Sequence, residues 1–165
     1  MVIQEKKGNL SSREKDDKTV DWLTLEWYET SKRILHKRTQ GGKEITMKFM
    51  KENQQLTQGD ILFEDAGTVV AIDIMPCEAI IIKPVSMLEM ANICYEIGNK
   101  HLPLFYDNDQ LLVAYELPLF SLLKNAGYAV ETGSRKLLQP LKTTVSPHGS
   151  SSLFSKIMNL KNGEK

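Results

Sequence analysis

Between residues 79 and 131, four short apolar runs and two helical patterns follow one another in the order β-α-β-β-α-β. No other feature narrows the fold as much. Strands joined alternately by helical crossovers and a tight turn settle into one sheet with both helices on the same face, the ferredoxin-like arrangement. The strands are read at 79–83, 104–106, 110–116 and 128–131. A first helix is expected over 86–98, with Ser86 as N-cap and Glu89 three residues on completing a capping box. A second helix is expected over 119–126, ended by Gly127, and Asp107-Asn108-Asp109 supplies the tight turn. With both helices on one face, the other face or the helix ends are left for partners.

The preceding residues carry a different period. Ile45, Met47 and Phe49 alternate with Glu44, Thr46 and Lys48, the mark of a half-buried strand. Further strands are expected at 21–27, 33–39, 61–64 and 68–74, separated by Gln40-Gly41-Gly42-Lys43, Gly59-Asp60 and Asp65-Ala66-Gly67. Several short strands between turn residues indicate a small sandwich or barrel. Composition shifts at Met75-Pro76-Cys77. The fold class is therefore α+β. A small all-β domain (1–75) precedes a ferredoxin-like βαββαβ domain (76–142), and a flexible tail (143–165) follows. In that tail Leu153, Phe154, Ile157, Met158 and Leu160 fall at helical spacing, but a helix so short is marginal alone.

Charge excludes some functions. Lysine plus arginine total 21 and aspartate plus glutamate total 21, so nothing draws the chain generally to nucleic acid or anionic membrane. The densest cationic run, Lys32, Arg33, Lys37 and Arg38, reads as a solvated strand face, with a docking surface for an acidic partner as the second reading. The opening residues turn polar at once, unlike a secretion signal, and stretches such as 79–82 fall far short of the ~20 residues of a membrane span. Cys77 and Cys94 match no disulfide framework or cysteine metal motif, and read as buried free thiols in a reducing cytoplasm.

Three histidines remain: His36, His101 and His148. His101 follows Gly98-Asn99, residue types that tolerate the left-handed conformation ending a helix. Stepping back from it by fours and threes meets Ile97, Cys94, Met90 and Met87, a stripe facing either the core or a partner. A lone histidine after a helix is more often a hydrogen-bonded surface or core residue than a ligand.

The segment Tyr95-Glu96-Ile97-Gly98-Asn99-Lys100-His101-Leu102-Pro103-Leu104 resembles the G-N-R-H signature of the UreE family, the urease accessory nickel metallochaperones. Three more blocks are similar to that family in the same order: Val20 through Trp27, Lys32 through Thr39, and Leu56 through Leu62. The resemblance spans roughly residues 1–148. Lys100 stands where the family usually has arginine, which keeps the charge but loses the planar fork. Many members end in a histidine-rich tail, whereas this chain has His148 alone there, so delivery of one ion per dimer is expected and storage of many is not.

The resemblance implies a non-enzymatic carrier of nickel in the cytoplasm, acting with the urease accessory GTPase and the apo-urease complex. Zinc or copper would also suit imidazole, and the preference for nickel comes from the resemblance alone. One histidine cannot hold such an ion, but a homodimer sets two copies of His101 across a two-fold axis. His148, between Pro147 and Gly149, is the tail residue expected to complete the shell, while His36 on its cationic strand is not expected to bind. Imidazole must be neutral to ligate, so affinity should fall as pH drops through the reference value of about 6.5. Two other classes compete. A metal-dependent hydrolase would show H-E-x-x-H or a similar triad, and Glu96, five residues before His101, does not fit. A metal-free interaction module would need His101 only at the helix end.

Overall fold

The computed structural model describes residues 1–14, 17–49 and 55–141. Its first part holds β1 (Val2–Ile3), β2 (Gly8–Asn9), β3 (Thr19–Leu25), β4 (Ile34–Arg38), β5 (Glu44–Lys48), β6 (Asp60–Glu64) and β7 (Thr68–Ile74). They form two sheets, ordered β1-β5-β4 and β2-β6-β7-β3. Alternation does what the sequence predicts: Ile45 and Met47 of β5 point inward while Glu44 and Lys48 face solvent. Leu35, Ile45 and Met47 from one sheet meet Leu23, Leu25, Leu62, Val70, Ile72 and Ile74 from the other in a single core, so the sandwich expectation holds.

Two features escaped the sequence pattern. β1 and β2 are two residues long, too short for any period, and exist only by pairing with β5 and β6. Trp27, expected at the end of a strand, instead opens a 3-10 turn over Trp27–Glu29, in which the Glu29 carboxylate accepts from the Glu26 N–H at 3.0 Å. The block 56–62 also gains a physical reason. Gly59 sits at φ 78°, and the buried Asp60 carboxylate accepts from Thr57 N–H (2.8 Å), Lys6 Nζ (3.0 Å) and Asn9 Nδ2 (3.0 Å), closing the turn.

The second part comprises β8 (Cys77–Ile82), α1 (Met87–Asn99), β9 (Phe105–Asp107), β10 (Gln110–Ala114), α2 (Leu117–Asn125) and β11 (Val130–Arg135). The sheet order β11-β8-β10-β9 with antiparallel neighbours is ferredoxin-like. Asn108 and Asp109 take φ of 46° and 61° between β9 and β10, as a two-residue hairpin turn requires. β11 begins and ends later than expected. Gly133 and Ser134 have little strand propensity, yet they pair with Ala79 and Glu78. Among the described residues no helix is long and apolar enough to cross a membrane.

Both helices cover one face, where Ile80, Ile82, Leu111 and Val113 pack on Ile93, Ile97, Leu119 and Leu123. The opposite face, expected to be open to partners, is covered. Ala79, Ile81, Phe105 and Leu112 gather with Leu137, and Trp27 packs against them, its ring edge-on to Phe105 at 5.7 Å. Burying β8 on both sides explains its uninterrupted apolar run.

Residues 136–141 act as a strap across both parts. Lys136 pairs with Asp73 of β7 at 2.6 Å, Leu137 enters the sheet's second core, and Leu138 packs on the sandwich core. Tyr106 N–H then donates to Gln139 O (3.0 Å) and Leu141 N–H to Leu104 O (2.7 Å), completing the β9 edge. Burial pushes the Asp73 carboxyl up, but hydrogen bonds from Lys136 and Gln58 outweigh it and hold the group below its ordinary value.

Two outcomes follow. Leu137→Ala should lower unfolding stability by about 2–5 kcal/mol in urea titrations, and a loss below roughly 1 kcal/mol would mean the second face does not depend on it. Because the folded Asp73 pKa is depressed, its contribution is present above the unfolded carboxylate value and fades as pH falls through the folded one. The wild type should therefore lose more stability than Asp73→Asn on acidification from about pH 5 to pH 3, and parallel losses would dismiss the tie.

Candidate metal centre

α1 starts as predicted: Ser86 Oγ accepts from the Glu89 N–H at 3.1 Å. The Glu89 carboxylate reaches one residue beyond a capping box, to the Val85 N–H. Inward-facing positions are Ile93 and Ile97, fully buried, flanked by Met90 and Cys94. Of the stripe read as facing either the core or a partner, Ile97, Cys94 and Met90 turn to the core, whereas Met87 is 85% exposed. At ~100° per residue, the step back from Met90 carries it about 60° further from the Ile93–Ile97 centre.

The helix end also differs from expectation. Gly98 and Asn99 lie within α1, Lys100 is its C-cap, and His101 itself takes the left-handed conformation at φ 55°. His101 N–H donates to Gly98 O at 2.9 Å, and Leu102 N–H to Ile97 O at 3.4 Å. These two bonds make a Schellman closure with histidine in the place glycine usually holds. Leu102 packs on the same core as Ile97, the apolar contact that accompanies this motif. Histidine, with asparagine and aspartate, is among the side chains found most often at positive φ, but the conformation still carries strain. The result is an exposed imidazole on a backbone fixed by two hydrogen bonds and a half-buried leucine.

Beside it runs an uncovered apolar flank. Val85, Met87, Leu88 and Tyr95 are 84%, 85%, 72% and 71% exposed. Leu88, Ala91, Tyr95 and Gly98 succeed one another by threes and fours, so they share the side of α1 turned away from the core. Gly98 has no positive φ, and a Cβ placed there would meet nothing within 4 Å. A glycine inside a helix is less stable than alanine by roughly 0.5–1 kcal/mol, and nothing in its backbone or among the described residues around it offsets that.

The remaining candidates lie elsewhere. His36 is exposed on β4, with Nδ1 2.9 Å from Thr46 Oγ1. The cationic run around it is partnered: Lys37 with Glu29 (2.5 Å), Arg38 with Glu44 (2.6 Å) and Lys32 with Glu29 (3.9 Å). Cys77 and Cys94 are half-buried free thiols rather than fully buried ones. Burial pushes both thiols up, Cys77 with help from the Glu26 charge, which keeps them protonated and poor ligands. His148 and the apolar positions 153–160 lie outside the described residues. Among the described residues, no group of three or more histidine, cysteine, aspartate or glutamate side chains could hold a metal ion.

A β-sandwich joined to a ferredoxin-like sheet, with an exposed histidine at the end of its first helix, makes a two-part α+β protein. The sequence profile described as "UreE urease accessory protein, N-terminal domain" matches residues 3–75, and its C-terminal counterpart matches 78–148. The urease accessory protein UreE of Flavobacterium johnsoniae is 45% identical over 163 residues, covering 97% of this chain and 99% of that protein. Those of Helicobacter pylori (strain G27) and Acetivibrio thermocellus are 39% and 35% identical, over 90% and 86% of the chain and 89% and 92% of their own lengths. The chain belongs to the UreE family of urease accessory proteins.

His101→Gly should stabilise the metal-free protein by about 1 kcal/mol, because glycine adopts the left-handed conformation without the Cβ conflict. Denaturant unfolding measures this, and an equal or lower stability would show that the positive φ carries no strain.

Proposed function

We propose that the chain is a nickel carrier for urease maturation, with the ion as cargo held between two copies of the protein. One coincidence supports this most: a single helix carries both an exposed imidazole at its carboxyl end and an exposed apolar flank. Pairing that flank across a two-fold axis covers Met87, Leu88 and Tyr95 and doubles the number of histidines near the axis. Two imidazoles with exchangeable water form a site that binds an ion yet releases it by ligand exchange. Zinc and copper fit the same donors.

His148 is the proposed additional ligand. The strap's last described residue, Leu141, is hydrogen-bonded to Leu104, three residues from His101. His148 lies seven residues beyond Leu141, a tether that extends at most ~25 Å. The tail therefore starts close enough to bring a second kind of histidine over the first.

The ferredoxin-like part (76–142) is assigned metal binding and dimerisation, and the sandwich (1–75) contacts with partners. Those partners are the urease accessory GTPase and the apo-urease complex, and the setting is the cytoplasm.

Titration calorimetry with nickel tests the reading. About one ion should bind per two chains, His101→Ala should bind essentially none, and His148→Ala should bind more weakly while remaining dimeric. Undiminished binding by His101→Ala would leave a metal-free interaction module as the better description.

A further inference from the structure

Gly98 is a residue for which the described residues of one chain give no reason. Its backbone is ordinary helix, its missing side chain leaves open space, and it stands on the exposed flank with Leu88, Ala91 and Tyr95. It is also tied to the proposed ligand, since its carbonyl accepts the His101 N–H at 2.9 Å. Any displacement of the Gly98 backbone is therefore passed directly to His101.

We infer that Gly98 is the point of closest approach between two copies of α1 and thereby sets the separation of the paired His101 imidazoles. This rests on the pairing proposed above and adds where the two helices cross. Two imidazoles share one ion only if their nitrogens each come within about 2.0–2.1 Å of it. His101 lies at the carboxyl end of α1, so the helices must converge near that end and not at Met87 or Leu88. Packed helices ordinarily stand 8–10 Å apart according to the side chains at the contact, and a residue without a side chain allows the nearer approach. On α1, Gly98 is the position on the flank that combines this property with adjacency to His101. Tyr95 and Ala91, one turn and two turns back, then flank the crossing and supply the apolar contact.

A graded series in the full chain tests the inference. A Cβ at position 98 meets no described residue within 4 Å, and the position is exposed, so Gly98→Ala and Gly98→Leu should both fold, with circular dichroism like that of the wild type. Nickel affinity, measured by calorimetry, should fall about tenfold for Gly98→Ala and further for Gly98→Leu, the range for groups that orient metal ligands. Sedimentation should show weaker metal-free dimerisation in the same order. If Gly98→Leu binds one nickel per two chains as tightly as the wild type, Gly98 is not the crossing point. His101→Ala separates the two ideas: binding lost there but intact in Gly98→Leu overturns only the inference, whereas binding intact in His101→Ala overturns the shared site itself.

Discussion

The central constraint on this molecule is that β8 must be buried on both faces. Its residues alternate between two cores, Ile80 and Ile82 toward the helices, Ala79 and Ile81 toward Trp27 and Leu137. A four-stranded sheet with helices on one side leaves its second face in water unless something else covers it. Here the cover comes from the turn after β3 and from the strap after β11. The sandwich and the ferredoxin-like sheet thus share apolar contacts, an ion pair and an edge-on ring pair, and their stabilities are linked.

The same sheet supports the site. Ile97 and Leu102 are anchored in the helix-side core, and His101 between them is held at positive φ by the closure those anchors complete. Strain at a single backbone position persists only where the surroundings over-determine it. In this chain the over-determination comes from two hydrogen bonds and one apolar contact, all belonging to the backbone or to neighbours. The imidazole itself takes no part, so its donor atoms are not engaged in holding the helix end.

Much of this architecture was legible in the residues. The switch from two-residue alternation to helical spacing near Pro76 predicts the β-then-βαββαβ order, and the bounds of β7 match the run 68–74. What escaped depends on tertiary context. β1 and β2 have no pattern of their own and exist through partners far along the chain. Trp27 looks like a strand residue until Phe105 is placed beside it. Propensity assigns the left-handed residue to Gly98 or Asn99, whereas the closure geometry gives it to His101, because Ile97 stays buried and Leu102 packs against the same core. His101 stands out by composition alone, but its fixed backbone and the apolar flank beside it need coordinates to be seen.

The strap over 136–141 ends on Leu104 while gripping Asp73 in the sandwich. The origin of everything downstream is therefore pinned to two bodies at once, like a hinge pin passed through both leaves. Tilting the sandwich against the sheet would first have to strip Leu137 from its core or part Lys136 from Asp73. Either event would disturb the strap that ends, through Leu141, on Leu104, three residues from His101.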